Sequence, residues 1–174
     1  MTTPPARPLT RRRFALYVAR SFAAAGAAGC AHVAPASSSS SSSPRAIFDA
    51  YFAAAQAGDV EAVLASFAED AEYEDVTFAY RGRGKAELRG MFASAFRGLA
   101  PVERRVIRLV ADASRVAAEW EAVGTHAGPM LGVPATGRRI HLRALSLIEV
   151  KGDRIRLVTD YTDRAGLERQ LGLR

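Results

Sequence analysis

The sequence predicts an α+β domain: a curved antiparallel sheet that encloses a pocket, with three N-terminal helices on its concave side. Three observations lead there. Apolar residues recur at helical spacing in the first part of the folded region. After Pro101 the period drops to two and stays there through four strand-like stretches. Helices that precede strands in separate runs argue for segregated layers and an antiparallel meander, not for alternating units around a parallel sheet.

Ile47, Phe48, Tyr51, Phe52 and Ala55 define one apolar stripe, so residues 45–57 are expected as an amphipathic helix. Gly58 suits its C-terminal cap. Asp59 suits the N-cap of a second, short helix with Val60, Val63, Leu64 and Phe67 inward. Both stripes read as core. Residues 71–76 follow as a short extended segment and residues 81–84 as a loop. That loop lacks the Lys-Ser/Thr ending of a phosphate-binding loop. Residues 85–96 form a third helix with Leu88, Met91, Phe92, Ala95 and Phe96 inward, and Pro101 bars its continuation. Strands are expected at 102–110, 115–126, 138–150 and 154–163. Their connections are a turn at 111–114, a Gly/Pro-rich loop at 127–137 and a hairpin turn at 151–153. A helical turn over 164–171 follows.

The 174 residues suit one domain with a proper core once the N-terminal region is set apart. The net charge of +6 is unevenly placed. The first 43 residues hold Arg7, Arg11, Arg12, Arg13 and Arg20 and no acid; the rest holds 19 basic and 18 acidic side chains. The basic balance is therefore a property of the leader, and no basic stripe or zinc spacing marks a nucleic-acid partner. Cys30 is the single cysteine, which excludes an intrachain disulfide. The three histidines, His32, His126 and His141, are too scattered for a multi-histidine centre, so no metal site is expected.

Residues 1–30 read as an export signal. Thr10-Arg11-Arg12-Arg13-Phe14-Ala15-Leu16 resembles the twin-arginine signal. After a weakly apolar stretch too short to span a bilayer, Ala27-Ala28-Gly29-Cys30 resembles a lipoprotein box, with Cys30 as the lipidated residue. Residues 31–44 form an Ala/Ser/Pro-rich linker with a root-mean-square reach of roughly 20 Å. The expectation is an exported domain, residues 45–172, tethered to a membrane of the cell envelope.

Chemistry concentrates at 154–163, where a β-type apolar run meets Asp160 and Asp163. An acid at the end of an apolar strand is either a desolvated base or a helix N-cap. Alternation puts Arg156, Val158, Asp160 and Thr162 on one face and Ile155, Leu157, Thr159, Tyr161 and Asp163 on the other. A regular strand therefore sends one of the two acids into the pocket, and parity alone does not choose. Asp163, just before a helical turn, suits the N-cap. Trp120 reads as core or as a stacking surface, with Glu119 and Glu121 on the opposite face of its strand.

Several motifs together resemble one family. They are Gly124-Thr125-His126 with the loop running to Arg138, Tyr73-Glu74-Asp75 with Gly82-Arg83, and the ending Gly152-Asp153-Arg154-Ile155, Asp160-Tyr161-Thr162-Asp163 and Gln170-Leu171-Gly172. In order and spacing they are similar to the SnoaL-like polyketide cyclases of the nuclear-transport-factor-2-like superfamily, over about residues 45–172. The resemblance implies a cone-shaped sheet wrapped around an apolar pocket, a homodimer through the outer sheet face, and intramolecular aldol closure without cofactor or metal. It selects Asp160 as general base, His126 as a carbonyl or enolate donor, and Tyr73 as a pocket hydroxyl. Asp75, Glu119, Trp120, Leu142, Ala144 and Val158 are expected to contact the ligand, a small hydrophobic molecule. The family often has Trp where Thr159 stands. A limonene-epoxide-hydrolase-like branch matches Tyr73, Asp75 and Asp160 more loosely, with Glu119 as its other acid, but its bridging arginine falls near Ala117. Epoxide hydrolysis therefore ranks third, behind ring closure and a non-catalytic binding module.

Overall fold

The computed structural model describes residues 42–173; the expected export signal, Cys30 and most of the expected serine linker lie outside them. Helix α1 (Pro44–Ala57) begins at Ser43, whose Oγ accepts from the Ala46 N–H, and Pro44 sits where no amide donor is needed. Gly58, at a φ of 70°, ends it in the left-handed conformation that glycine adopts without penalty. Asp59 then caps α2 (Val60–Ala65) by accepting from the Ala62 N–H. Phe67, expected on the stripe of α2, instead opens strand β1 (Phe67–Asp75) and is fully buried there.

Strand β2 (Tyr80–Arg83) pairs antiparallel with β1, so the expected loop is an edge strand. Four residues that include Gly82 and two arginines carry no apolar alternation. The pairing partner, not the pattern, makes this a strand. Helix α3 (Gly84–Gly98) is followed by β3 (Leu99–Ala111), β4 (Arg115–His126), β5 (Arg139–Lys151), β6 (Arg154–Thr162) and α4 (Arg164–Leu171). Pro101 lies within β3, after a cis Ala100–Pro101 peptide. The last element is a true helix, a fourth, capped by Asp163 accepting from the Gly166 N–H at 2.9 Å.

The six strands run β2-β1-β6-β5-β4-β3. The meander from β3 to β6 is antiparallel as expected, but β1 joins β6 in parallel, so the sheet is mixed. That parallel seam sets Tyr73 beside Val158 and Asp75 beside Asp160. Helices α1, α2 and α3 contribute Phe48, Val63, Leu64 and Leu88 to the core under the sheet, where Phe67 and Ile155 meet them. Each such side chain stabilises the fold by roughly 1.5–3 kcal/mol. Tyr51, Phe67 and Phe92 meet one another edge-on or tilted, with ring centroids 5.6–6.4 Å apart.

Among the register shifts of the sheet, two reset which face the side chains near the site use. In β3, Val106 opposes Trp120 and Arg108 opposes Glu119, which leaves Ile107 as the extra residue. Arg104 and Arg108, co-facial by simple alternation, therefore part company: Arg104 turns inward to α1, and Arg108 reaches Glu119 on the outer face. In β6, Leu157 opposes Glu149 and Ile155 opposes Val150, so Arg156 is extra. Ile155 and Val158 are both fully buried, and Arg156 pairs with Asp70 at 2.8 Å. The expected placement of Arg156 with Asp160, and of Ile155 opposite them, is corrected by this bulge. Gly124 marks a close approach of β4 to β3. A Cβ there would lie 2.6 Å from the Pro101 carbonyl oxygen and 2.9 Å from Leu99 Cγ.

Candidate active site

Between α1, α3 and the concave face of the sheet lies a cavity of about 290 Å³. Phe48, Phe52, Phe92, Phe96, Trp120 and Leu142 supply much of its apolar wall. Against that wall a few polar groups converge, the usual make-up of a small-molecule site.

Asp160 stands at the inward-facing end of β6 and is only 3% exposed. Ser146 is its register partner on β5 and donates its hydroxyl to Oδ1 at 2.5 Å. Tyr73, from the parallel neighbour β1, donates its phenol to Oδ2. Trp120 Nε1 donates to Ser146 Oγ at 2.8 Å, so a chain of donors runs from β4 through β5 to the acid. Burial pushes the Asp160 carboxyl up to about 6; the Ser146 and Tyr73 donors work against it, and the nearby charge of Asp75 adds to the rise. Such a group is mostly ionised at neutral pH and still basic enough to take a proton from carbon. The Tyr73 phenol is pushed well up, by burial first and then by the charge of Asp160, so it remains a donor.

Asp75 also lines the cavity, but its oxygens are engaged. Oδ1 accepts from the backbone N–H groups of Thr77 and Phe78 at 2.9 and 3.1 Å, and Oδ2 accepts from the Thr162 hydroxyl at 3.0 Å. It is the acid that caps the turn after β1 and a fixed negative charge behind Asp160.

Trp120 and Leu142 lie on the cavity wall, as their strand positions suggest. Four other candidates do not. Glu119 is on the outer face, bound to Arg108 at 2.7 Å and to Arg143, because it sits one residue out of phase with Trp120. Ala144 and Val158 are buried but outside the cavity lining. His126, expected as a carbonyl or enolate donor, ends β4 with no exposed surface. Its Nδ1 is 2.9 Å from Thr136 Oγ1, its Nε2 has no hydrogen-bond partner among the described residues, and it does not line the cavity.

Sequence reasoning missed three polar residues. Ser146 is the one hydroxyl on the apolar face formed by Leu142, Ala144 and Ile148, and that mismatch was a usable signal. Tyr51 was read as core. It is 8% exposed, its hydroxyl has no hydrogen-bond partner among the described residues, and it lines the cavity. Burial pushes its phenol up, the charge of Asp160 adds to this, and Arg104 opposes it. Arg104, the third, also lines the cavity.

The family profile of the SnoaL-like polyketide cyclases matches residues 45–171, which is all of the sheet and nearly all of the helices. The chain belongs to this family. The aklanonic acid methyl ester cyclases DnrD of Streptomyces peucetius and DauD of Streptomyces sp. (strain C5) are each 40% identical to this chain over 57 residues. That stretch is 33% of this chain, and 39% and 35% of theirs, so the match spans under two fifths of either relative. A candidate polyketide cyclase from Pseudomonas putida superposes with a TM-score of 0.64 at 28% identity, over 74% of this chain and 98% of that one. AclR, a candidate hydroxylase from Streptomyces galilaeus, superposes with a TM-score of 0.67 at 18% identity, over 75% and 96%. An epoxide hydrolase of the limonene type from M. tuberculosis gives 0.58 at 24%, over 73% and 87%. The last two share the fold.

Proposed function

We propose that this SnoaL-like domain is an enolising ring-closure catalyst for an apolar carbonyl compound. The observation that carries the reading is a buried carboxylate, Asp160, at the wall of an apolar cavity and held by two hydroxyl donors. Asp160 takes a proton from the carbon beside a carbonyl; the C–H pair becomes the enolate, and its negative charge settles on the carbonyl oxygen. The Tyr51 hydroxyl is the free donor to meet that oxygen. The enolate carbon then bonds to a second carbonyl carbon of the same molecule. The alkoxide so formed takes the proton back from Asp160, and nothing is gained or lost overall. The names of the aklanonic acid methyl ester cyclases agree with ring closure. The two-acid relay of epoxide hydrolysis lacks support, since Glu119 faces away from the cavity and Ala117 stands near the arginine position.

The test uses 1-tetralone, a ketone of suitable size, in deuterated buffer. The full chain should accelerate exchange of the protons beside its carbonyl, with the rate rising through about pH 6. Asp160→Asn should abolish the acceleration, and an Asn variant as fast as the parent sinks the reading. Saturable ketone binding without any exchange favours the binding module instead.

Export and envelope tethering are proposed on the leader alone, supported by Arg11, Arg12 and the small residues before Cys30. Cys30→Ser should move the protein out of the membrane fraction. A homodimer through the outer sheet face draws support from the exposed Leu145, Leu147 and Tyr161, and analytical ultracentrifugation reads it.

A further inference from the structure

Strand β3 carries three arginines, and they have different fates. Arg105 pairs with Glu121, and Arg108 pairs with Glu119, both on the outer face. Arg104 points the other way, is half-buried, lines the cavity, and has no acidic partner among the described residues. An unneutralised cation beside apolar walls is costly to keep unless something pairs with it.

The side chain is also held in place. Its Nη1 donates to the Ala55 carbonyl oxygen at 2.6 Å, at the C-terminal end of α1, where the helix dipole is negative. Its guanidinium carbon lies 5.2 Å from the centre of the Phe96 ring on α3. Gln56 clamps the backbone beneath it: its Nε2 donates to the Val102 carbonyl at 3.1 Å, and its Oε1 accepts from the Arg104 N–H at 2.5 Å. With Nη1 engaged, Nε and Nη2 have no partner among the described residues. Those two N–H groups share one edge of the guanidinium, the edge that grips a carboxylate through two parallel bonds. Tyr51, whose hydroxyl has no hydrogen-bond partner among the described residues, lines the same cavity as Arg104 and Asp160.

We propose that Arg104 forms an anion subsite, and that the molecule this cavity takes is an apolar carbonyl compound bearing a free carboxylate. The carboxylate seats on the Nε–Nη2 edge of Arg104, the apolar body lies along Phe52, Phe96 and Trp120, and the reacting carbon faces Asp160. The naming of a substrate class rests on Asp160 being a base; the subsite itself does not.

The experiment compares two probes of nearly equal shape, 2-naphthoate and 2-acetylnaphthalene, by calorimetric titration of the full chain at pH 7. The parent should bind the carboxylate at least tenfold more tightly than the ketone. Arg104→Gln should bring the two within about threefold while ketone affinity changes less than twofold. Arg104→Lys, which keeps the charge but not the fork, should retain part of the preference, so a fold-damaging effect of Gln is separable. Equal binding of both probes by the parent, absence of naphthoate binding into the millimolar range, or a preference untouched by Arg104→Gln overturns the subsite. Asp160→Asn should keep or strengthen the preference while losing tetralone exchange. Failure of the anion subsite and failure of the base thus show in different measurements.

Discussion

The phenol of Tyr73 and the carboxylate of Asp160 meet across the parallel seam between β1 and β6, although 87 residues of chain separate them. The contact works in two directions. The donor helps ionise an acid whose burial opposes ionisation, and the charge of that acid keeps the phenol protonated. Ser146 holds the second carboxylate oxygen, so the acid cannot turn freely in the cavity.

Removing the phenol should therefore move the titration of the base. Tyr73→Phe leaves the ring packing against Phe92 and deletes one donor. The midpoint of the tetralone exchange rate against pH should rise from about 6 by roughly one unit. The rate at pH 6 should fall several-fold and that at pH 8.5 much less. A midpoint that stays put contradicts the assigned contact.

The same acid should make the protein less stable as pH rises. Its folded carboxyl titrates near 6 against an ordinary 3.8, so the folded chain holds the extra proton in between. The stabilisation associated with protonated Asp160 is complete below about pH 3.8 and is lost as pH climbs through 6. At about 1.36 kcal/mol per unit, the full change is about 3 kcal/mol. Asp160→Asn should remove this dependence and gain roughly 1–3 kcal/mol at pH 7.5 with little change near pH 4, as read by urea denaturation at each pH. A variant whose stability tracks the parent at both values refutes the buried-acid account.

Glu119 provides a contrast within the same sheet. Its partners Arg108 and Arg143 are more than half exposed, so solvent screens the ion pairs and they contribute little to stability. Glu119→Gln should leave tetralone exchange within twofold of the parent and barely shift the urea midpoint. A large loss of exchange would mean that the residue acts inside the cavity after all.

Gly124 should tolerate no side chain. Its added Cβ would meet the Pro101 carbonyl, which cannot rotate away as a side chain could. Gly124→Ala should destabilise the domain by roughly 1–3 kcal/mol in the same denaturation assay. Gly90→Ala, where a Cβ meets nothing within 4 Å, is the matched control and should be neutral or slightly stabilising.

Much of the fold was legible because periodicity reports which side of an element is buried. The stripe from Ile47 to Ala55, the capping pair Gly58 and Asp59, and the alternation through β5 each announced an element. The edge strand β2 was not legible, since a short strand held by its neighbour leaves no pattern of its own. The candidate site was legible in part. Asp160, Tyr73, Trp120 and Leu142 came from strand position and family resemblance, and all four line the cavity. Tyr51 was hidden because a tyrosine on an apolar stripe looks like core until its hydroxyl is seen without a partner. Arg104 was hidden because one extra residue, Ile107, decides that it and Arg108 face opposite ways.

Local chemistry along the chain determined the helix caps and the switch from helical to strand period. Those depend on neighbours a few residues apart. The parallel seam, the two bulges and the meeting of Tyr73, Ser146 and Trp120 around Asp160 depend on pairings across many tens of residues. Only tertiary structure decides these, because strand register and bulges set which side chains share the interior, and burial there sets the acidity of Asp160 and leaves Arg104 without an acid.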